Sequence, residues 1–183
     1  MQNSHQIVIS GVGGQGVLFV TRLLAEAAIA KGLPVFTSET HGMAQRGGTV
    51  ISHLKVGEFT SPLINPGKAD GLIALKAECM DQHGGYLKPA GWAAVNDPAQ
   101  TAANAPATLY RLDADRVARD IGDPRSVNLI MLGFALADNQ TGLFCRLDEV
   151  TAVLQERLDS KPQRLQASIR ALETGAVRAT KSS

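Results

Sequence analysis

Residues 6–16 decide the fold of this chain, and they read Gln-Ile-Val-Ile-Ser-Gly-Val-Gly-Gly-Gln-Gly. The segment Gln6–Ser10 is rich in β-branched side chains and stops at Gly11, a pattern typical of a buried strand. Apolar residues then recur at helical spacing from Gln15 to Lys31, and Gly32 is typical of a residue that ends a helix. The order of strand, glycine-rich turn and helix therefore predicts the start of an α/β domain.

A second strand is predicted at 35–38, directly after this helix. The two strands and the helix between them form a βαβ unit, so the strands should be parallel and the crossover right-handed. Further strands are predicted at 49–56, 72–75, 91–96 and 108–112, and helices at 113–121, 126–137, 147–158 and 162–177. We therefore expect a single three-layer, Rossmann-like domain over residues 1–183, with a mostly parallel central sheet, strands early and helices late.

Bulk composition narrows the class of protein. The chain has 183 residues, 44% of them hydrophobic, which is enough for a buried core without metals or disulfides. Its 18 Lys and Arg residues nearly balance 17 Asp and Glu residues, so no strong field favours nucleic acid or an anionic membrane. No apolar run approaches the ~20 residues that cross a bilayer, and no signal-peptide pattern is present. We expect a cytoplasmic protein that binds neither nucleic acid nor membrane.

The glycine-rich turn matches the spacing Gly-x-Gly-x-x-Gly, with glycines at Gly11, Gly13 and Gly16. Such glycines let the backbone approach a ligand, and the N-terminus of the following helix favours anions. Glu39 follows at about the distance where an acidic residue suits the ribose hydroxyls of NAD or FAD. The same glycines also permit close packing of helix on strand. Together with Gly14 and Gln15, they also suit contact with a phosphate or a protein partner.

A second unusual segment, residues 39–48, reads Glu-Thr-His-Gly-Met-Ala-Gln-Arg-Gly-Gly. It follows a predicted strand, and ligands and partners of open α/β sheets bind at the carboxyl ends of the strands. The candidate site residues in this segment are Glu39, His41, Gln45, Arg46, Gly47 and Gly48. Two roles stay open for them. In one, they contact a substrate, coenzyme A or a partner, and the planar guanidinium of Arg46 suits pairing with a carboxylate or phosphate. In the other, they stabilise the loop itself.

Together the two segments resemble the small, or gamma, subunit of the 2-oxoacid:ferredoxin oxidoreductases of the pyruvate, ketoisovalerate and indolepyruvate types. The sequence His-Gly-Met-Ala-Gln-Arg-Gly-Gly at 41–48 is most similar to the indolepyruvate branch. The resemblance is specific over residues 6–60 and weaker beyond them. It implies CoA-dependent oxidative decarboxylation of a 2-oxoacid on thiamine diphosphate and Mg, with electrons passing through [4Fe–4S] clusters to ferredoxin.

Motifs for holding these cofactors are missing from the sequence. A thiamine diphosphate site carries Gly-Asp-Gly followed by Asn, whereas the only Gly-Asp here, Gly122-Asp123, precedes Pro124. A [4Fe–4S] cluster needs about four cysteine thiolates, and Cys79 and Cys145 are the only cysteines. We therefore expect no catalytic residue, no metal site and no cofactor on this chain alone.

The resemblance implies that partner subunits bear the thiamine and the clusters, that ferredoxin is met through the complex, and that this chain is inactive alone. Two alternatives remain. One is an NAD- or FAD-binding oxidoreductase that uses the three glycines of the turn and Glu39. The other is a self-associating scaffold without a ligand.

Overall fold

The computed structural model describes residues 4–41, 48–100, 108–137 and 141–179. Its strands are β1 (His5–Val12), β2 (Val35–His41), β3 (Thr49–Val56), β4 (Ala69–Ala74), β5 (Leu87–Asn96) and β6 (Thr108–Leu112). Its helices are α1 (Val17–Ala30), α2 (Ala77–His83), α3 (Ala114–Asp120), α4 (Val127–Leu136), α5 (Leu147–Leu158) and α6 (Pro162–Ala179), with a 3-10 turn at Gly84–Tyr86.

All predicted strands and helices are present, and several end within one residue of the prediction. Helix α2 is an addition to the prediction, because its seven residues, Ala-Glu-Cys-Met-Asp-Gln-His, are too few to show an apolar period. None of the helices in the described ranges is both long and apolar enough to cross a membrane.

The six strands form one sheet in the order β2-β3-β1-β4-β5-β6. Strands β1, β4, β5 and β6 are parallel neighbours, while β3 is antiparallel to both β1 and β2. β1 and β2 therefore run in the same direction, as the βαβ pattern predicts, but β3 lies between them. The predicted α/β class with a mostly parallel sheet is confirmed.

Side chains of the central strands alternate between two apolar cores, as the period of two requires. On one face Ile7, Ile9 and Leu54 pack with α1 and the C-terminal helices. On the other face Val8 and Leu72 pack with α2. The sheet therefore lies between two helical layers, of which the layer containing α1 is much the thicker.

Helix α1 has a glycine at each end. Gly16 is its N-cap residue with φ 80°, so the chain enters the helix from the left-handed region. At the other end Gly32 has φ 69° and donates its N–H to the carbonyl of Ile29 at 2.8 Å, as expected for a residue that ends a helix. These two glycines set the length and direction of the element that follows the glycine-rich turn.

Candidate functional site

The glycine-rich turn and the polar segment meet at one end of the sheet. Val50 of β3 lies opposite Gly11 of β1 and, on its other side, opposite His41 of β2. The N–H of Gly13 donates to the carbonyl of Gly48 at 3.2 Å. We call this place, formed by Gly11–Gly16, His41 and Gly48–Val50, the turn junction. The antiparallel insertion of β3 creates it, because β3 begins where β1 and β2 end.

Within the turn, the side chain of Gln15 points into the protein rather than towards a ligand. Its Oε1 accepts the N–H of Val12 at 2.8 Å, and its Nε2 lies 3.5 Å from the carbonyl oxygen of Leu75, the residue after β4. The backbone N–H of Gln15 also donates to the carbonyl of Val12 at 3.1 Å. Gln15 therefore closes the turn with its main chain and its side chain.

The absence of a side chain at Gly11 makes room for this arrangement. A Cβ on Gly11 would lie 2.8 Å from Cγ2 of Val17 and 3.0 Å from Oε1 of Gln15. Real Cβ atoms do not approach other atoms so closely, so Gly11 allows α1 and Gln15 to pack against β1. At this position the glycine fits the close-packing role that the sequence left open.

An open groove of about 470 Å³ lies beside the N-terminus of α1. Its walls are mainly apolar and come from Val12, Val17, Leu18, Phe19 and Val50. Gly13, Gly14 and the exposed Arg22 line it as well. The first turn of α1 has no acidic residue and no side-chain cap, so the positive end of the helix dipole is not offset there. The groove can therefore take an apolar group that carries negative charge at one end.

The opposite face of the sheet anchors the end of β1. Ser10 is fully buried, and its hydroxyl lies 2.7 Å from Nδ1 of His83 in α2. Nearby, Nδ1 of His53 accepts the N–H of Ile64 at 3.3 Å. Burial lowers the pKa of both His83 and His53 below the ordinary value of 6.5, so both imidazoles are neutral at pH 7. The Ser10–His83 contact holds the end of β1, the strand that leads into the turn, and the His53–Ile64 bond holds β3.

The candidates of the polar segment are only partly covered by the described residues. Glu39 is exposed on β2, opposite Ser52 of β3. His41 is the last residue of β2, and Gly48 accepts the hydrogen bond from Gly13. Gln45, Arg46 and Gly47 lie outside the described residues.

Sequence reasoning missed the polar side chains that support the junction from neighbouring elements. Nδ2 of Asn96, at the end of β5, donates to the Leu75 carbonyl at 3.2 Å and to Oδ2 of Asp115 at 2.8 Å. Oδ1 of Asn96 accepts the N–H of Ala114 at 2.9 Å. The only signal in the sequence is a polar residue at the end of an apolar strand. That signal does not show which carbonyl the side chain reaches.

The two cysteines are not placed to hold a cluster. Cys79 is buried in the core on the α2 side of the sheet and Cys145 in the core on the α1 side, and both are free thiols. Burial raises the pKa of Cys79, and it raises the pKa of Cys145 to about 12. In the described part of the chain, no three His, Cys, Asp or Glu residues are grouped so that they could hold a metal ion. These residues do not fit an iron–sulfur cluster.

Comparison with known proteins identifies the family. Residues 6–177 match the family model for pyruvate ferredoxin/flavodoxin oxidoreductases. The chain belongs to this family. The membership predicted from the glycine-rich turn and the polar segment is thereby confirmed.

Subunits of several 2-oxoacid oxidoreductases are similar to this chain. An indolepyruvate oxidoreductase subunit of Thermococcus kodakarensis is 30% identical over 194 residues, covering 93% of this chain and 94% of the relative. A ketoisovalerate oxidoreductase subunit of Methanothermobacter thermautotrophicus is 30% identical over 93% of this chain but only 35% of its own length. An indolepyruvate oxidoreductase subunit of Archaeoglobus fulgidus is 54% identical over 70 residues, which are 38% of this chain and 35% of that protein.

Solved structures share the fold. The gamma subunit of a keto/oxoacid ferredoxin oxidoreductase from Geobacter sulfurreducens matches with TM-score 0.80 and 23% identity, over 97% of this chain and 99% of that chain. A 2-oxoglutarate:ferredoxin oxidoreductase from Magnetococcus marinus also matches with TM-score 0.80, at 20% identity. This chain spans 32% of that longer one. The comparisons support the interpretation as an oxidoreductase subunit, and they do not support the NAD- or FAD-binding alternative.

Proposed function

We propose that this chain is the subunit of a 2-oxoacid:ferredoxin oxidoreductase that carries neither thiamine diphosphate nor iron–sulfur clusters. In this proposal it acts only with partner subunits, which hold the thiamine diphosphate, the Mg and the [4Fe–4S] clusters. The complex oxidatively decarboxylates a 2-oxoacid, transfers the acyl group to coenzyme A and passes the electrons to ferredoxin. We expect it in the cytoplasm.

The proposal rests on a contrast between thiol and hydroxyl side chains that are buried and a turn junction that is open to solvent. Both thiols and the Ser10 hydroxyl are buried, and Ser10 is further covered by the half-buried His83. Gly13 and Gly14 are exposed beside the groove at the N-terminus of α1. A chain with this distribution is suited to completing a site on another protein rather than to catalysing a reaction by itself.

We propose that the turn junction faces the partner that holds the thiamine. The exposed backbone of the turn and the segment that contains Glu39, His41, Gln45, Arg46, Gly47 and Gly48 would then form one surface. On this surface Arg46 pairs with a carboxylate or phosphate of the substrate, the coenzyme or the partner. The bond between Gly13 and Gly48 supports this, because it places the end of the segment against the turn.

Co-expression with a thiamine-binding partner subunit tests the proposal. We expect a stable complex that oxidises one of pyruvate, 2-oxoisovalerate, 2-oxoglutarate or indolepyruvate with coenzyme A and a low-potential dye as electron acceptor. We expect no turnover by this chain alone. Turnover by the isolated chain, or equal activity of the partner without it, would overturn the proposal.

The role of the polar segment has its own test in the same complex. Arg46→Ala should lower kcat/KM by about tenfold or more, since the loss of a charged hydrogen bond is worth roughly 1.5–3 kcal/mol. The matched control is Arg125→Ala, because Arg125 is an exposed arginine just before α4. Equal activity of the two variants would exclude a contact by Arg46.

A further inference from the structure

Gln15 is the one polar side chain of the glycine-rich turn, and it is half-buried. Its amide spans the gap between the end of β1 and the end of β4. Oε1 accepts from the N–H of Val12 at 2.8 Å, and Nε2 approaches the carbonyl of Leu75 at 3.5 Å. The side chain is therefore turned away from the groove and towards the centre of the sheet.

We propose that Gln15 is a positioning residue of the oxidoreductase complex, which holds the turn so that Gly13 meets Gly48. This inference rests on the proposed function, and it assigns to Gln15 a role without contact to substrate, coenzyme or partner. The role acts through the backbone: Gln15 fixes Val12, and Val12 precedes the residue whose N–H binds the Gly48 carbonyl.

The geometry needs a side chain that both accepts and donates. The Val12 N–H needs an acceptor because an unpaired backbone donor is costly once it is shielded from water. The Leu75 carbonyl has two lone pairs, so it can accept from Nε2 of the same side chain as well as from Nδ2 of Asn96. An amide of this length supplies both, whereas glutamate lacks the donor and methionine lacks a strong acceptor and the donor.

Leu75, whose carbonyl Nε2 of Gln15 approaches, is itself held by several hydrogen bonds. Leu75 is fully buried, and its N–H donates to the Ser10 carbonyl at 2.8 Å. The Leu75 carbonyl also accepts from Nδ2 of Asn96, which is tied to the start of α3 through the N–H of Ala114. Gln15 thus connects the glycine-rich turn to a point held by β1, β5 and α3.

The position of the turn affects the shape of the groove. Val12 and Gly13 form one side of it and Val50 another, and the bond between Gly13 and Gly48 sets the distance between the two sides. Without Gln15, three exposed or half-exposed glycines leave the turn free to take other backbone conformations. The surface offered to the partner would then lose its fixed shape while the cores stay packed.

The test compares Gln15→Met with a matched control, Gln155→Met, at an exposed position of α5. Both variants are assembled with the thiamine-binding partner, and kcat and KM are measured for the 2-oxoacid and for coenzyme A. We expect Gln15→Met to lower kcat about tenfold with KM little changed, since misplaced supporting groups cost on the order of 10–100-fold. Gln155→Met should leave both constants unchanged.

Hydrogen exchange on the chain alone supplies a readout that does not depend on activity. The amide of Gly13 should exchange about tenfold faster in Gln15→Met than in the unaltered chain, a change of about 1.4 kcal/mol in opening free energy. Gln15→Glu keeps the acceptor for Val12, so its Gly13 exchange should stay closer to that of the unaltered chain than the exchange of Gln15→Met does. Equally fast exchange in the two variants would contradict a role through Val12.

The outcomes separate the two proposals. An inactive complex of the unaltered chains would overturn the proposed function and leave the exchange result to decide the role of Gln15 in the turn. An active complex in which Gln15→Met keeps its kcat, or in which KM rises while Gly13 exchange is unchanged, would overturn the positioning role. The second result would identify Gln15 as a contact residue instead.

Discussion

Gly16 and Asn128 touch where the glycine-rich turn enters α1. A Cβ on Gly16 would lie 2.3 Å from Nδ2 of Asn128, in the first turn of α4. Asn128 also accepts the N–H of Leu129 through its Oδ1 at 2.9 Å, so the side chain is held in place. The turn is thus shaped from two sides, by Gln15 from the sheet and by Asn128 from the helical layer.

Replacing Gly16 with alanine should therefore cost both backbone strain and a steric clash. Together these predict a loss of about 2–4 kcal/mol in the free energy of unfolding, measured by urea titration. Gly14→Ala is the control, because Gly14 has φ 88° but no atom within 4 Å of an added Cβ. Gly14→Ala should show the strain alone. Asn128→Ala in the Gly16→Ala background should recover the steric part, and equal losses at the two glycines would refute this account.

Two helices of the thicker layer cross at their backbones. A Cβ on Gly175 of α6 would lie 2.0 Å from the carbonyl oxygen of Ile130 in α4. Gly175→Ala must push the helices apart, so we expect a loss of about 3 kcal/mol or a chain that fails to fold. Thermal unfolding compares it with Gly85→Ala, where an added Cβ meets nothing within 4 Å. A melting temperature that is the same in both variants would contradict this crossing.

Stability should fall in mild acid because three histidines are buried or half-buried. Burial is the largest cause that lowers the pKa of His5, His53 and His83 below 6.5 in the folded chain. The unfolded chain keeps the ordinary value of about 6.5, so it binds more protons as the pH drops below that point. The free energy of unfolding should therefore be steady above neutral pH and decline as the pH falls from about 6.5 towards the folded values.

Variants at two of these histidines isolate the effect from the titration of carboxylates. His53→Gln combined with His83→Gln keeps hydrogen-bonding side chains at both positions and removes both titrations. Its melting temperature should depend less on pH between neutrality and mild acid than that of the unaltered chain. If both proteins lose stability in parallel over this range, the histidines are not responsible.

Both cysteines should be unreactive in the folded chain. Cys79 and Cys145 are 1% and 3% exposed, and burial raises the pKa of each thiol, so thiolate is scarce at mildly alkaline pH. A disulfide-exchange reagent should modify neither thiol within minutes and should modify both in concentrated guanidinium chloride. Fast labelling of either thiol in the native chain would show that its core opens readily.

The sequence by itself determined the six strands, every helix except α2, and the family. The strand at 49–56 carries its own alternation, and Gly32 with Pro34 ends α1, since these signals act over a few neighbouring residues. The motifs Gly11–Gly16 and His41–Gly48 identified the family, because residues with special backbone needs are visible in one chain.

Tertiary structure alone decided how these parts meet. Nothing local shows that β3 inserts between β1 and β2, because strand order depends on which edges pair across the whole sheet. The inward direction of the Gln15 side chain likewise depends on a carbonyl sixty positions away at Leu75. Local patterns specify which residues form an element, whereas the partners of a polar side chain are set by packing between distant segments.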